Sequence, residues 1–334
     1  MVRDAPQDQV EVRAPILSSA RSPGEGSDLC LALDIGGTKL ACALVDRSAR
    51  VHWQDRVRTP RATDAEALFR VVRDLAELGL REARGRGRVV VCGVGCGGPM
   101  SRRGGGVEVS PLNIPAWRGF RLSERLHATF EELERTILAE STAPGLPLFV
   151  DNDAKALALA EGWTGAAAGE RDYIAMVVST GVGGGIVLDG RLLDGANGNA
   201  GHIGHLIVEP EGHDCACGAR GCLEAEASGT GIRAFTGKPP EEAGPELVER
   251  TGRLVGRAVA SVANLLDLKL AVVGGGVALG YGSRFFLGAQ REIDRSARLQ
   301  HSQGCRIAPV ALGQEAPLVG AAAVGWQGFT GKRP

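Results

Sequence analysis

Three groups of residues in this chain combine types and spacings that could do chemistry. Asp151-Asn152-Asp153 closes an apolar run and opens the helical stretch AKALALAEGW. A carboxylate held there can take a proton from an alcohol, and the neighbouring carboxamide both donates and accepts hydrogen bonds. Asn and Asp are also preferred helix caps, so residue type alone leaves capping and proton transfer side by side. A helix N-terminus favours negative charge, which predicts Asp153 ionised and ready to accept a proton at neutral pH. The second group is Cys215, Cys217 and Cys222, with His205 and His213 nearby in the chain. Three thiolates and one imidazole meet the tetrahedral preference of structural Zn²⁺, and four protein ligands leave no open position for a catalytic water. Gly212, Gly218 and Gly221 mark this segment as a loop, which argues against three core cysteines. The choice between the two histidines stays open at this point.

The third group is a set of glycine turns, each after a strand-like run: Asp34-Ile-Gly-Gly-Thr-Lys39, Ser179-Thr-Gly-Val-Gly-Gly-Gly185 and Val273-Gly-Gly-Gly276. Glycine lets backbone N–H groups approach phosphate oxygens with no Cβ in the way. The expected nucleotide contacts are Gly36, Gly37, Thr38 and Lys39 in the first turn, Thr180, Gly181 and Gly183 in the second, and Gly274 and Gly275 in the third. Asp34, at a strand end, suits Mg²⁺ held through water, because Mg²⁺ keeps much of its hydration. Two rival phosphate motifs are excluded. No GxxxxGK[ST] is present. A GxGxxG match at Gly93, Gly95 and Gly98 runs into Pro99 and MSRRGGG, with no helix to receive a pyrophosphate.

The elements that must position these groups read as two similar units. Leu29 to Asp46 is a β-hairpin, Val51 to Val57 adds a strand, and Ala65 to Ala83 repeats apolar residues at helical spacing. Val89 to Val94 is a buried strand, Leu122 to Leu138 a helix and Leu148 to Val150 a short strand. The pattern restarts with a strand at Ile174 to Val178, a glycine turn at Gly181 to Gly185 and a strand at Ile186 to Leu188. Helices at Arg253 to Leu266 and Ser283 to Arg298 alternate with strands at Leu270 to Val273 and Arg306 to Val310, and a helix at Pro317 to Trp326 closes the chain. Two such units predict two lobes with a cleft between them, where ligands collect.

Bulk composition narrows the function. At 334 residues with 44% apolar and 23% charged residues, the chain has the profile of a soluble globular protein. A net charge of −1 and 4% aromatics argue against a nucleic-acid surface, which needs a basic stripe or stacking platforms. No apolar run is long enough for a signal peptide or a membrane span, so the expected compartment is the cytoplasm. Residues 1–27 are polar and broken by prolines, which predicts a disordered tail. Cys30, Cys42, Cys92, Cys96 and Cys305 read as buried thiols.

The set DIGGTK, the run NDA at Asn152, STGVGGG and CACGARGCLE, in that order, resembles the ROK family of sugar kinases, repressors and related open reading frames. The resemblance covers about residues 29 to 328. It implies an α/β, actin-like ATPase (ribonuclease H-like) fold with two lobes and an interlobe cleft. It also implies ATP with Mg²⁺, and transfer of the γ-phosphoryl group to a hexose hydroxyl, usually the 6-hydroxyl. Asp153 would be the general base. His205, rather than His213, would complete the Zn²⁺ set with Cys215, Cys217 and Cys222. Sugar hydroxyls would be held by Asn113, Asn152, Asp153, His202, the His205 region and Glu224, with the backbone at Gly98 lining the sugar. The expected layout is an N-terminal lobe at 28–150 closed by a helix at 316–330, and a C-terminal lobe at 151–315 carrying the zinc loop 205–222. Expected partners are a small sugar and ATP, with no nucleic acid and no membrane, in a homo-oligomer such as a dimer.

Two positions depart from the family pattern. His202 stands where most family glucokinases carry a glutamate. A neutral imidazole offers one donor and one acceptor, which suits a 2-acetamido group better than two hydroxyls. The run AGHIGH resembles some N-acetylmannosamine kinases, whereas SPLNIPAW resembles glucokinases, so both acceptors stay in view. Lys155 stands at a position often held by Asn and receives no role. The alternative reading is a sugar-responsive ROK-type transcriptional regulator without kinase activity. The 27 residues before the first strand are short for a helix-turn-helix module, so the expectation is the enzyme.

Overall fold

The computed structural model describes residues 28–60, 64–103, 105–135, 145–332 and 334. The tail expected at 1–27 and the end of the helix expected to reach Leu138 lie outside them. Strands β1 (Asp28–Ile35), β2 (Lys39–Asp46) and β3 (Val51–Arg58) form an antiparallel meander, and helix α1 (Ala65–Glu82) leads to β4 (Arg88–Cys96). A hairpin of β5 (Met100–Arg103) and β6 (Gly106–Val109) and helix α2 (Leu122–Leu133) precede β7 (Leu148–Asn152). The first sheet has the order β3-β2-β1-β4-β7, with β1, β4 and β7 parallel.

Helix α3 (Asp153–Thr164) then passes to β8 (Tyr173–Val178), β9 (Val182–Leu188) and β10 (Arg191–Leu192). The short helices α4 (Leu223–Ala227) and α5 (Gly229–Thr236) come next, followed by α6 (Pro245–Leu266), β11 (Leu270–Gly274), α7 (Gly276–Ser296) and β12 (Arg306–Pro309). The second sheet repeats the order as β10-β9-β8-β11-β12, again with three parallel strands. Helix α8 (Ala316–Thr330) packs back on the first sheet and on α3. Two copies of this sheet make the actin-like, ribonuclease H-like fold.

Side-chain size decides how tightly the layers meet. Along β1, Leu29, Leu31, Leu33 and Ile35 face α1 through Leu68, Val72 and Leu75. The alternate positions Cys30 and Ala32, with Ala41 and Ala43, face α8 through Leu318, Ala321, Ala322 and Trp326. The small residues let α8 lie close, and a Cβ on Gly93 would overlap the Ala321 carbonyl. Helix α3 is bounded on two sides in the same way. Gly183 and Gly185 of β9 face Ala154 and Ala158, and Gly320 of α8 faces Ala156.

The five cysteines expected in the core are buried free thiols. Three expectations change. Helix α6 starts at Pro245 rather than Arg253. The turn after β8 ends at Gly181, and Gly183 to Gly185 lie inside β9, because glycine there lets the strand approach α3. Helix α7 starts at Gly276 rather than Ser283 and is broken at Gly282, where φ is 61° and ψ −147°. Among the described residues no helix is long and apolar enough to cross a membrane.

Candidate active site

Strand register lines up the candidate residues. Asp34 pairs with Gly95, Ile35 with Cys96, and Cys96 with Asn152, so three parallel strands deliver their carboxyl ends to one edge. In the second sheet Val177 pairs with Gly274, which sets Val178 beside Gly275 and Ser179 beside Gly276. Ligands of open α/β sheets collect outside such carboxyl ends.

At the first edge two carboxylates meet. Asp34 is 7% exposed, and its pKa is pushed up to about 7, first by burial and then by the charge of Asp153, with Lys39 pulling it down. Asn152 caps α3, its Oδ1 accepting the Ala154 N–H at 3.0 Å. Asp153 Oδ1 accepts the same N–H at 2.8 Å. Asp153 opens towards solvent, yet protein surrounds its carboxylate closely. Desolvation is the largest influence and raises its pKa, outweighing the Ala154 N–H and the His202 ring. Burial thus opposes the helix end at this carboxylate and raises its pKa above the ordinary Asp value.

Polar groups converge beside that carboxylate. A Cβ on Gly98 would stand 2.9 Å from Asn152 Nδ2 and 3.6 Å from His202 Nε2, so both side chains face the Gly98 backbone. Asn113 closes the neighbouring side, its Oδ1 lying 3.3 Å from a Cβ placed on Gly97 and its Cγ 2.8 Å from one on Gly37. Glu224 Oε2 accepts the Val182 N–H at 3.0 Å and borders Gly181. The His202 pKa is lowered, by burial first and by His205 second, with Glu224 and Asp153 opposing. The imidazole is thus neutral at physiological pH.

The glycine turns have packing reasons of their own. Gly36 N–H donates to the Lys39 carbonyl at 3.1 Å, and Thr59 Oγ1 donates to the Gly36 carbonyl at 2.6 Å. A Cβ on Gly274 would stand 2.9 Å from the Val310 side chain, and Gly275, at φ 98°, has no room beside the Val178 carbonyl. Thr38 and Thr180 are exposed at their turns. Beyond Gly276 lies a cavity of about 370 Å³ walled by Pro240, Val248, Val277, Tyr281 and Arg284. The buried Tyr281 hydroxyl has no hydrogen-bond partner among the described residues. Sequence reasoning missed this cavity, since its walls come from two stretches, 240–248 and 276–284, that only folding brings together.

His205, Cys215, Cys217 and Cys222 come together with all ligand atoms within 4.8 Å of one another. His205 Nδ1 is 3.8 Å from Cys215 Sγ, and Cys217 Sγ is 3.7 Å from Cys222 Sγ. A regular tetrahedron with metal–sulfur bonds of about 2.3 Å has edges of about 3.8 Å, so this set fits the group. His213 is engaged elsewhere. Its Nδ1 lies 3.0 Å from Oε1 of the fully buried Glu226, which Arg250 also holds, and its ring stacks on Phe235.

A two-lobed actin-like protein, with two carboxylates at one sheet edge and glycine turns at the other, is the class that fold and site define. Residues 30–327 match the model of the ROK family, and the chain belongs to that family. It is similar to the N-acetylmannosamine kinase of Citrobacter koseri, 37% identical over 267 residues that cover 75% of this chain and 84% of that protein. Among solved structures it is similar to the ROK hexokinase from Thermus thermophilus, with a TM-score of 0.76, 34% identity, and coverage of 91% of this chain and 99% of that one. It is also similar to a ROK family glucokinase from Streptomyces griseus in complex with glucose and AMPPNP, with a TM-score of 0.68, 28% identity, and coverage of 90% and 99%.

Proposed function

We propose that this chain is an ATP-dependent sugar kinase that transfers the γ-phosphoryl group to the 6-hydroxyl of a hexose or N-acetylhexosamine, with Asp153 as general base. One observation carries the reading. The Asp153 carboxylate stands between the polar cluster of Gly98, Asn152 and His202 and the edge that holds Asp34. A sugar hydroxyl held by that cluster would meet a proton acceptor whose pKa has been raised towards the working pH, where a general base is most effective. The remaining rate comes from aligning the hydroxyl with the phosphoryl group and from charge compensation.

Residues 28–150 with 316–330 would form one lobe and 151–315 the other. The turns at Gly36–Lys39, Thr180–Gly181 and Gly274–Gly275 would flank the phosphates, and the cavity beside Tyr281 would take the nucleoside. Its volume suits a ligand of that size. Mg²⁺ bound with the nucleotide supplies positive charge at the phosphates, and Asp34 would hold it through water. Zn²⁺ held by His205, Cys215, Cys217 and Cys222 would be structural and would pin the loop that carries His202 and Glu224. ATP supply and reduced thiols both fit the cytoplasm.

The neutral His202 and the similarity to an N-acetylmannosamine kinase favour an acetamido sugar. A coupled ADP-release assay over glucose, mannose, fructose, N-acetylglucosamine and N-acetylmannosamine tests this. The acetylated sugars are expected to respond most. Dominance of glucose would overturn the His202 argument, and silence with every sugar would overturn the kinase reading in favour of a regulator.

A further inference from the structure

Lys155 sits on the first turn of α3, is 1% exposed and plays no part in the chemistry above. An ammonium has three donors, and here each has an acceptor. Asp151 Oδ1 lies at 3.0 Å, Asp194 Oδ1 at 2.6 Å and the Gly198 carbonyl at 3.2 Å. The same two carboxylates are approached from the other side by Arg102, 3.7 Å from Asp151 and 3.6 Å from Asp194. Asn199 extends the link, accepting the Met100 N–H at 3.0 Å and donating to the Met100 carbonyl at 2.8 Å. Three segments are thereby joined: the end of β7 with the start of α3, the β5 hairpin, and the loop that runs from Asp194 to His202.

We propose that Lys155 is a positioning residue, a buried three-way tether that fixes the loop carrying His202 at a set distance from Asn152 and Asp153. This deepens the kinase reading and rests on it for its catalytic consequence. The geometry is specific to a long cationic side chain. Met has the length without the charge, and Asn is too short to span from α3 to Gly198. Two carboxylates in partly dry surroundings also need two cations, and Lys155 and Arg102 supply them. With Lys155 neutralised, Asp151 and Asp194 repel each other and the Gly198 carbonyl loses its donor, so the loop swings away from α3. The acceptor pocket loosens while the nucleotide cavity, walled by other segments, stays as it is.

The test uses two variants of the full chain, Lys155→Met and Asp194→Asn. The second removes one arm from a half-exposed position, where the fold is not at risk. Amide hydrogen exchange across residues 193–205 is followed together with KM for sugar and for ATP. Exchange in that loop is expected to accelerate in both variants. Sugar KM is expected to rise about tenfold while ATP KM stays within about twofold, since misplacement of one reactant's pocket weakens that reactant alone. Unchanged exchange would overturn the tether. Faster exchange with sugar and ATP KM rising in parallel would overturn a positioning role and leave a merely structural one. Should the wild-type chain phosphorylate no sugar, the kinase reading falls, and the exchange measurement still decides the tether by itself.

Discussion

In the first sheet the leading strand ends in Asp34 and the last runs into Asp151, Asn152 and Asp153; in the second, the corresponding edge carries Ser179, Thr180, Gly275 and Gly276. The strand order is the same in both. The difference lies in charge. On the proposed reading, the carboxylates of the first edge would take a proton and hold a cation, and the hydroxyls and bare backbone N–H groups of the second would face the phosphates. On that reading, duplicating one sheet would leave each copy free to serve one reactant, with transfer between them.

The largest break of this division is expected from Asp153→Asn. Turnover should fall by about 10² to 10⁴, the typical contribution of a positioned base, while calorimetric sugar affinity changes little. In the wild type, kcat/KM should rise with pH through the raised pKa of Asp153. Activity persisting in Asp153→Asn would remove the base from the acidic edge. Next in size is Cys217→Ser, or removal of metal by a chelator. Both should lower the melting temperature and sugar affinity together, and metal analysis of the purified wild type should find stoichiometric zinc.

Asp34→Asn sharpens the comparison in the opposite sense. A carboxyl whose folded pKa is raised to about 7 binds its proton more tightly folded than unfolded. Stability should therefore fall as pH rises from about 4 to 7. The neutral variant should melt higher than wild type at pH 7, yet lose most activity and require more Mg²⁺. A lower melting point would contradict the burial argument. The smallest effect belongs to Tyr281→Phe, which removes only a hydroxyl. KM for ATP is expected to change about two- to fivefold, the scale of one modest hydrogen bond, with sugar KM unaltered.

Much of this arrangement was legible in the chain. The apolar runs of β1, β4, β8 and β11 and the helical periodicity of α1 made much of the element order readable, because buried parallel strands and amphipathic helices leave strong patterns. The decoy at Gly93, Gly95 and Gly98 was readable from Pro99, and a hairpin, not a helix, follows it. The cluster of Cys215, Cys217 and Cys222 announced itself through its spacing. Other features had no local signature. Lys155 looks like any helical lysine until folding brings Asp194 and Gly198 to it. Glu226 carries no mark in the sequence of its burial under His213 and Arg250. Gly183 reads as part of a turn because a glycine needed for close packing inside a strand and one needed in a turn are the same residue in a sequence. The rise in the Asp153 pKa is hidden for a related reason: the helix start is visible in one dimension, and the surrounding protein that opposes it is not.

The glycine and alanine seams where α8 meets β4 and α3, and where α3 meets β9, set a limit on how this protein can be altered. With Gly93, Gly183, Gly185 and Gly320 already in close contact with neighbouring atoms, one added methyl forces backbone to move, and such overpacking typically costs about 1–3 kcal/mol. Directed evolution of a new acceptor preference should therefore collect its tolerated changes in the surface segments around Asn113 and His202, while the seams themselves return almost no viable variants.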